Sequence, residues 1–261
     1  MKDQENVRLE PHRLHGKQAI FFDVNQTLVQ QGLSFEVCFK QVWEEYAGRW
    51  LQDEPIPADR LWGEYNVRWQ QRKKIRATFK QLDALQQQCL REAFHVMSIP
   101  VSASMPQSFL LEVRRLQTSA KTTAPGTIET LDDLSRHYML AIISNSPRGE
   151  VLQLLERFGL AVFFPIERIF TAQKPVDKKP APYLFRGALQ SLQLAPRQAV
   201  MVGNSWKHDV CGAVKAGMDA IWLQASSGTA RSEATKISQQ RLGKRTVFLV
   251  QALDQLPELL T

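Results

Sequence analysis

Gln18-Ala19-Ile20-Phe21-Phe22-Asp23-Val24-Asn25-Gln26-Thr27 is the stretch on which the fold turns. Its short apolar run has the composition of a strand buried in a sheet, and it stops abruptly at an acid followed by polar residues. The pattern therefore predicts a first strand whose carboxyl end carries Asp23, with a polar loop beyond it.

Further along the chain the same arrangement recurs. Met139–Ile143 is apolar and ends in Ser144-Asn145-Ser146; Ala199–Val202 is apolar and ends in Gly203-Asn204-Ser205; Ala220–Leu223 is another such run. Helical patterns separate them, around Thr130–Arg136, Arg148–Phe158 and Val210–Gly217. Arg168–Thr171 reads as a short strand, and the Lys- and Pro-rich segment Gln173–Pro182 as a turn before another helix. Strand alternating with helix predicts an α/β class protein with a parallel sheet wrapped by helices, whose ligands bind at the carboxyl ends of the strands. Asp23, Ser144 and Asn204 all fall there. Toward the C-terminus, Ser226–Arg245 is polar and reads as loop or surface helix, Thr246–Val250 as a last edge strand, and Leu253–Leu260 as a short helix.

Between the first and second strands the character changes. From Ser34 to about Arg115 the chain is rich in Gln, Arg, Glu and Trp at helical spacing, interrupted at Pro55, Pro57, Pro100 and Pro106. This predicts a helical insert. Trp43, Trp50, Trp62 and Trp69 are expected to form its core. Arg68, Arg72, Lys73, Lys74, Arg76 and Lys80 crowd one segment and are expected to form a solvated helix face.

Apolar residues make up 44% of the 261 and charged residues 23%, which suits a folded protein and leaves no case for wholesale disorder. The N-terminal stretch is polar, with neither the apolar heart of a signal peptide nor a membrane span, so the expected location is cytoplasmic. Cys38, Cys89 and Cys211 are odd in number and widely spaced, which fits reduced structural thiols. A net charge of +7 and a pI near 9.4 attract anions, phosphorylated metabolites among them. No specific nucleic-acid partner and no membrane partner are expected, and the oligomeric state stays open.

A carboxylate ending a buried strand serves as a nucleophile when a cation offsets its charge and nearby donors hold the group being transferred. The chain supplies each part: Asp23 to attack, Ser144 and Asn145 to hydrogen-bond a substrate, Lys179 to balance charge, and Asp209 to complete an acidic corner. Lys174 and Lys178 are rivals for the cation, but Lys179 is followed by the helix-starting Pro-Ala-Pro-Tyr-Leu-Phe. His208 beside Asp209 is a conceivable base, and histidines so placed are usually exposed.

Four segments together resemble the signature motifs of the haloacid dehalogenase superfamily: Phe21-Phe22-Asp23-Val24-Asn25-Gln26-Thr27-Leu28, Ile142-Ile143-Ser144-Asn145, Lys179-Pro180-Ala181-Pro182-Tyr183-Leu184-Phe185, and Val202-Gly203-Asn204-Ser205 through Asp209 to Ala216-Gly217. The resemblance implies a Rossmann-like core over residues 16–31 and 116–261, a helical cap over 32–115, and a polar tail over 1–15. It also implies an aspartyl-enzyme intermediate, Mg²⁺, and a small anionic substrate, a phosphate ester. Asp23 matches the nucleophile, Lys179 the orienting cation, and Ser144 with Asn145 the substrate-binding pair. Asp23, Asn25, Asn204 and Asp209 stand at the metal site.

Two positions depart from the usual pattern. Asn25 stands where the superfamily's phosphatases carry a second Asp, and an amide gives no proton to a leaving alkoxide; a general acid contributes about 10²–10⁴-fold. Asn204 replaces an Asp metal ligand, which implies weaker Mg²⁺ binding. The same changes suit the superfamily's 2-haloacid dehalogenases, which eject halide without a metal, and a non-catalytic phosphate-binding module is a third reading.

Overall fold

A computed structural model of the protein describes residues 14–50, 56–73, 79–224 and 237–260. The chain divides into two compact units: Met1–Gln30 with Thr122–Thr261, and the inserted Gln31–Lys121.

In chain order the first unit opens with β1 (Ala19–Phe22) and β2 (Val29–Gln30). The insert follows as α1 (Phe35–Trp50), α2 (Ala58–Arg72), α3 (Phe79–Val96) and α4 (Met105–Ser119). The first unit resumes with β3 (Thr122–Thr123), α5 (Thr127–Ser135), β4 (Met139–Ser144), α6 (Arg148–Arg157), β5 (Ile169–Thr171) and α7 (Pro182–Ser191). It ends with β6 (Ala199–Gly203), α8 (Cys211–Ala216), β7 (Asp219–Leu223), β8 (Ser238–Leu242), β9 (Arg245–Val250) and α9 (Leu256–Leu260).

Seven strands form one sheet in the order β5-β4-β1-β6-β7-β9-β8, parallel except for β8. This is a Rossmann-like α/β fold. β1 lies at its heart because Ala19–Phe22 are all fully buried, pairing with β4 on one side and β6 on the other. The two-residue period of a strand sends alternate side chains to opposite faces. Ile20, Phe22, Ile142 and Val202 meet Leu131 and Leu134 of α5 and Val151 and Leu155 of α6. Ala19, Phe21, Ile143 and Met201 meet Phe185 and Leu189 of α7 and Ala213 of α8. Parallel pairing places the carboxyl ends of β1, β4 and β6 side by side, and with them Asp23, Ser144 and Gly203.

The C-terminal expectation needs correction. Residues 226–236 lie outside the described ones, but Ser238–Leu242 form β8, antiparallel to β9, so β8 and not β9 is the sheet's edge. Ser238–Arg241 are exposed. An edge strand solvated on both faces carries almost no apolar periodicity, which is why Ser-Gln-Gln-Arg resembles a loop. At the other end residues 1–13 lie outside the described ones, while Leu14, counted with the polar tail, is buried and its N–H donates to the Leu259 carbonyl at 2.9 Å.

The helical unit has its own core. Phe39, Val42, Trp43, Tyr65, Leu90, Phe94 and Phe109 pack together, with Trp62 and Trp69 partly buried against them. Trp43 and Trp62 thus pack as core residues, while the Trp50 side chain lies outside the described ones. Arg68 pairs with Glu64 at 2.7 Å and Arg72 with Glu92 at 2.9 Å, so part of the basic segment is neutralised locally. Lys73 is exposed; Lys74, Arg76 and the Lys80 side chain lie outside the described residues. Cys38, Cys89 and Cys211 are free, and among the described residues no helix is long and apolar enough to cross a membrane.

Phe22 is fully buried and meets Phe164 edge-on at 6.0 Å between ring centroids. Phe22→Ala is expected to remove about 3–5 kcal/mol of stability, whereas Val162→Ala on the surface stays within about 0.5 kcal/mol of wild type. Denaturant titration followed by far-ultraviolet circular dichroism measures both.

Candidate active site

The loop after β1 is shaped by its backbone. The Val24 carbonyl accepts from the N–H groups of Leu28 and Val29 at 3.0 and 2.9 Å, and the Gln26 N–H donates to the Val29 carbonyl at 2.7 Å. Closing this turn puts Gln26 in the left-handed region at φ 60°, which a non-glycine residue adopts only where the surroundings hold it there. Thr27, fully buried, ties the loop to the end of β6: its Oγ1 accepts from the Asn204 N–H at 3.1 Å. Asp23 itself donates its N–H to the Val202 carbonyl at 3.0 Å.

Lys179 approaches from the segment before α7. Its Nζ donates to Asp23 Oδ1 at 2.6 Å, to Asp209 Oδ1 at 2.6 Å and to the Ile143 carbonyl at 2.9 Å, so all three ammonium hydrogens have acceptors. Asp23, Lys179 and Asp209 are all buried. The rivals Lys174 and Lys178 are both exposed. Asn145 clamps the Lys179 backbone, its Oδ1 accepting from the Lys179 N–H at 2.7 Å and its Nδ2 donating to the Lys179 carbonyl at 3.1 Å. Those bonds give the Asn145 amide a positioning task. Ser144 is buried beside it; its Oγ accepts from the Ser146 N–H at 3.2 Å and keeps its own hydrogen to donate.

Asp209 sits in a π-helical turn, Trp206–Val210, in which the Ser205 carbonyl accepts from the N–H groups of Asp209 and Val210 at 2.8 and 3.2 Å. Such turns often occur at functional sites. Asp209 Oδ2 accepts from the Ser205 N–H at 2.9 Å. The carboxylate lies so close to β6 that a Cβ on Gly203 would stand 2.4 Å from its Cγ. Only glycine leaves that space.

Asp23, Asn25, Ser144, Asn145, Lys179, Asn204 and Asp209 all line one cavity of about 200 Å³, together with Gln26, Ser146, Ser205 and His208. Asn25 Nδ2 donates to Ser146 Oγ at 3.0 Å, and Asn204 Nδ2 to Gln26 Oε1 at 3.3 Å. His208 is exposed, with Nδ1 at 3.2 Å from Ser205 Oγ. Thr27, Ser146, Gly203 and Ser205 escaped the sequence reading as site residues. Their types are common in any loop, and the only signal was their position inside the quoted segments.

One ammonium between two carboxylates leaves the ionised cluster with a net charge of −1 in a buried place. Burial, reinforced by the charge of Asp209, pushes Asp23 up to about 6 from its ordinary 3.8, although Lys179 pulls the other way. Burial also works against the Lys179 charge, but the two carboxylates outweigh it and hold the ammonium above its ordinary value. The surplus negative charge invites a cation. Among the described residues no group of three or more His, Cys, Asp or Glu side chains converges on a metal position. The oxygen donors here are the carboxylates of Asp23 and Asp209 and the amides of Asn25 and Asn204. Mg²⁺ commonly uses one or two carboxylates with water and substrate oxygens completing its shell, so the donor set fits a weak Mg²⁺ site.

Residues 20–223 match the family of haloacid dehalogenase-like hydrolases. Over 139 residues the chain is 33% identical to a glyceraldehyde 3-phosphate phosphatase of Methanothermobacter thermautotrophicus, a match covering 52% of this chain and 58% of that one. Over 119 residues it is 34% identical to a phosphoserine phosphatase of Thermus thermophilus, covering 45% and 46% respectively. The matches thus span about half the length of these curated relatives. A crystal structure of a 2-haloacid dehalogenase from Pseudomonas syringae has the same fold, with a TM-score of 0.57, 22% identity, and coverage of 93% of this chain and 97% of that one.

Because the folded state holds a proton on Asp23 more tightly than the unfolded chain does, the contribution of Asp23 to stability is expected to fall as pH rises from about 3.8 to about 6 and to level off above. Asp23→Asn is therefore expected to flatten that part of the stability profile and to melt at or above the wild-type temperature at pH 7.5. A scanning-calorimetry series from pH 4 to 8 measures it; a marked loss at pH 7.5 would contradict the electrostatic account. Gly203→Ala is expected to cost about 1–3 kcal/mol, by forcing Asp209 away from β6. Denaturant titration checks that figure, and the Lys179 and Asp209 resonances in an NMR titration report whether their contact is broken.

Proposed function

The chain belongs to the haloacid dehalogenase-like hydrolases, and we propose that it is a phosphatase of small phosphorylated metabolites that works through an aspartyl-enzyme intermediate on Asp23. The observation that carries this reading is the buried Lys179 ammonium, 2.6 Å from both Asp23 and Asp209. A carboxylate attacking a phosphoryl dianion meets strong repulsion. Lys179 lowers that repulsion while holding Asp23 in one orientation, and the Ser144 hydroxyl has a hydrogen to donate to a phosphoryl oxygen.

Mg²⁺ would be held by Asp23, Asp209 and the amide oxygens of Asn25 and Asn204, and when bound it neutralises charge on the phosphoryl oxygens. Asp23 attacks phosphorus, the leaving oxygen departs, and water then cleaves the acyl phosphate to regenerate the carboxylate. The matched phosphatases support the class of substrate, and the net charge of +7 favours the approach of small anions. The helical unit Gln31–Lys121 is our candidate for the cap that selects the substrate, since the chain leaves the core just after the loop bearing Asp23 and Asn25 and returns at Thr122.

One observation favours a second reading. Asn25 contributes an amide, and no acid, to the cavity lining, which suits ejection of a halide from a 2-haloacid, a step that needs no proton. Phosphate release from a panel of phosphate compounds, with and without Mg²⁺, is to be measured beside halide release from 2-haloacids. Asp23-dependent phosphate release stimulated by Mg²⁺ is expected, with Asp23→Asn lowering it by about 10³-fold or more. Metal-independent halide release would replace the phosphatase reading, and ligand-induced thermal stabilisation without turnover would favour a binding module.

A further inference from the structure

The cavity holds four ionisable side chains, and three of them are the buried set of Asp23, Lys179 and Asp209. Lys179 has every ammonium hydrogen engaged, and both Asp209 oxygens are engaged by Lys179 and the Ser205 N–H. The remaining one, His208, is exposed and has Nδ1 beside Ser205 Oγ. Every other lining side chain is an amide or a hydroxyl. A leaving group expelled by Asp23 departs on the side of phosphorus away from the carboxylate, and apart from the buried ionised set and His208 the cavity lining offers it only neutral groups.

Amides donate hydrogen bonds but no protons. Asn25 Nδ2 spends one N–H on Ser146 Oγ and Asn204 Nδ2 one on Gln26 Oε1, so each nitrogen retains a second hydrogen for an anion. Such a lining solvates a leaving group that is already stable as an anion and gives little help to an alkoxide.

Accepting the phosphatase reading, we infer that the substrates are phosphoric anhydrides, acyl phosphates above all, rather than alkyl phosphate esters. Asp23 Oδ bonds to phosphorus and the bond from phosphorus to the bridging oxygen breaks. Its electron pair leaves with the carboxylate or phosphate, which needs no proton. Water then attacks phosphorus of the aspartyl phosphate; the Asp23 carboxylate departs unprotonated and the water's two hydrogens remain with the released dihydrogen phosphate.

The test is kcat/KM for acetyl phosphate, pyrophosphate, glycerol 3-phosphate and ethyl phosphate with the full chain in Mg²⁺, each rate corrected with the Asp23→Asn variant. Anhydrides are expected to exceed alkyl esters by at least about 10²-fold, the contribution of the missing general acid. Asn25→Asp is expected to narrow that ratio by a similar factor. Should Asn25→Asp not fold, the wild-type series and His208→Gln still decide. Equal rates for anhydrides and alkyl esters would overturn the inference, and if His208→Gln then slowed only the alkyl esters, the acid would be His208. No Asp23-dependent release from any of the four compounds would instead remove the phosphatase reading on which the inference rests.

Discussion

An ammonium ion shared between two carboxylates in a buried place governs how the rest of the core unit is built. Burying charge is unfavourable unless each ion is paired and its remaining hydrogen-bonding groups are met. Here the requirement is met from several directions at once: the Ile143 carbonyl takes the third Lys179 hydrogen, the Ser205 N–H donates to the second Asp209 oxygen, and Asn145 fastens the Lys179 backbone. Gly203 is part of the same solution, since any side chain there would occupy the place of the Asp209 carboxylate. The cluster is thus a joint between the ends of β1, β4 and β6 as well as a candidate for chemistry.

The parallel sheet explains how such a joint arises. Parallel pairing aligns the carboxyl ends of neighbouring strands, so residues far apart in sequence arrive together without any long loop reaching across the unit. Full burial of β1 on both faces then keeps Asp23 from shifting along the sheet. The electrostatic consequence is an ionised cluster with one more negative than positive charge, and Asp23 held well above the ordinary carboxylate range. A cation or an incoming electrophile relieves that imbalance. Asn25 and Asn204 add no charge to the cavity, which lowers repulsion toward an anionic ligand.

Much of this was legible in the sequence because burial on both faces writes itself locally. Ala19–Phe22, Met139–Ile143 and Ala199–Val202 are continuous apolar runs, and the polar residue that ends each run marks a strand end. Where burial is absent the signal fails: β8 has four exposed polar residues, and its sequence reads as loop or surface helix. The candidate site was legible to the extent that its residues sit at strand ends. Thr27, Ser146 and Ser205 act through hydrogen bonds of their backbone and hydroxyl groups, and nothing in their type separates them from other loop residues.

By itself, then, the sequence determined the alternation of strand and helix, the place of the helical insert, and the position of Asp23 at the end of the first strand. Each of these follows from periodicity and burial over a few consecutive residues. The context of Lys179 favoured it over Lys174 and Lys178, but which acceptors its ammonium meets, how Asn145 is used, and why position 203 must be glycine were decided only by the tertiary structure. Those outcomes depend on contacts between segments distant along the chain, and a lysine bears no local mark of whether a carboxylate will stand 2.6 Å from its nitrogen.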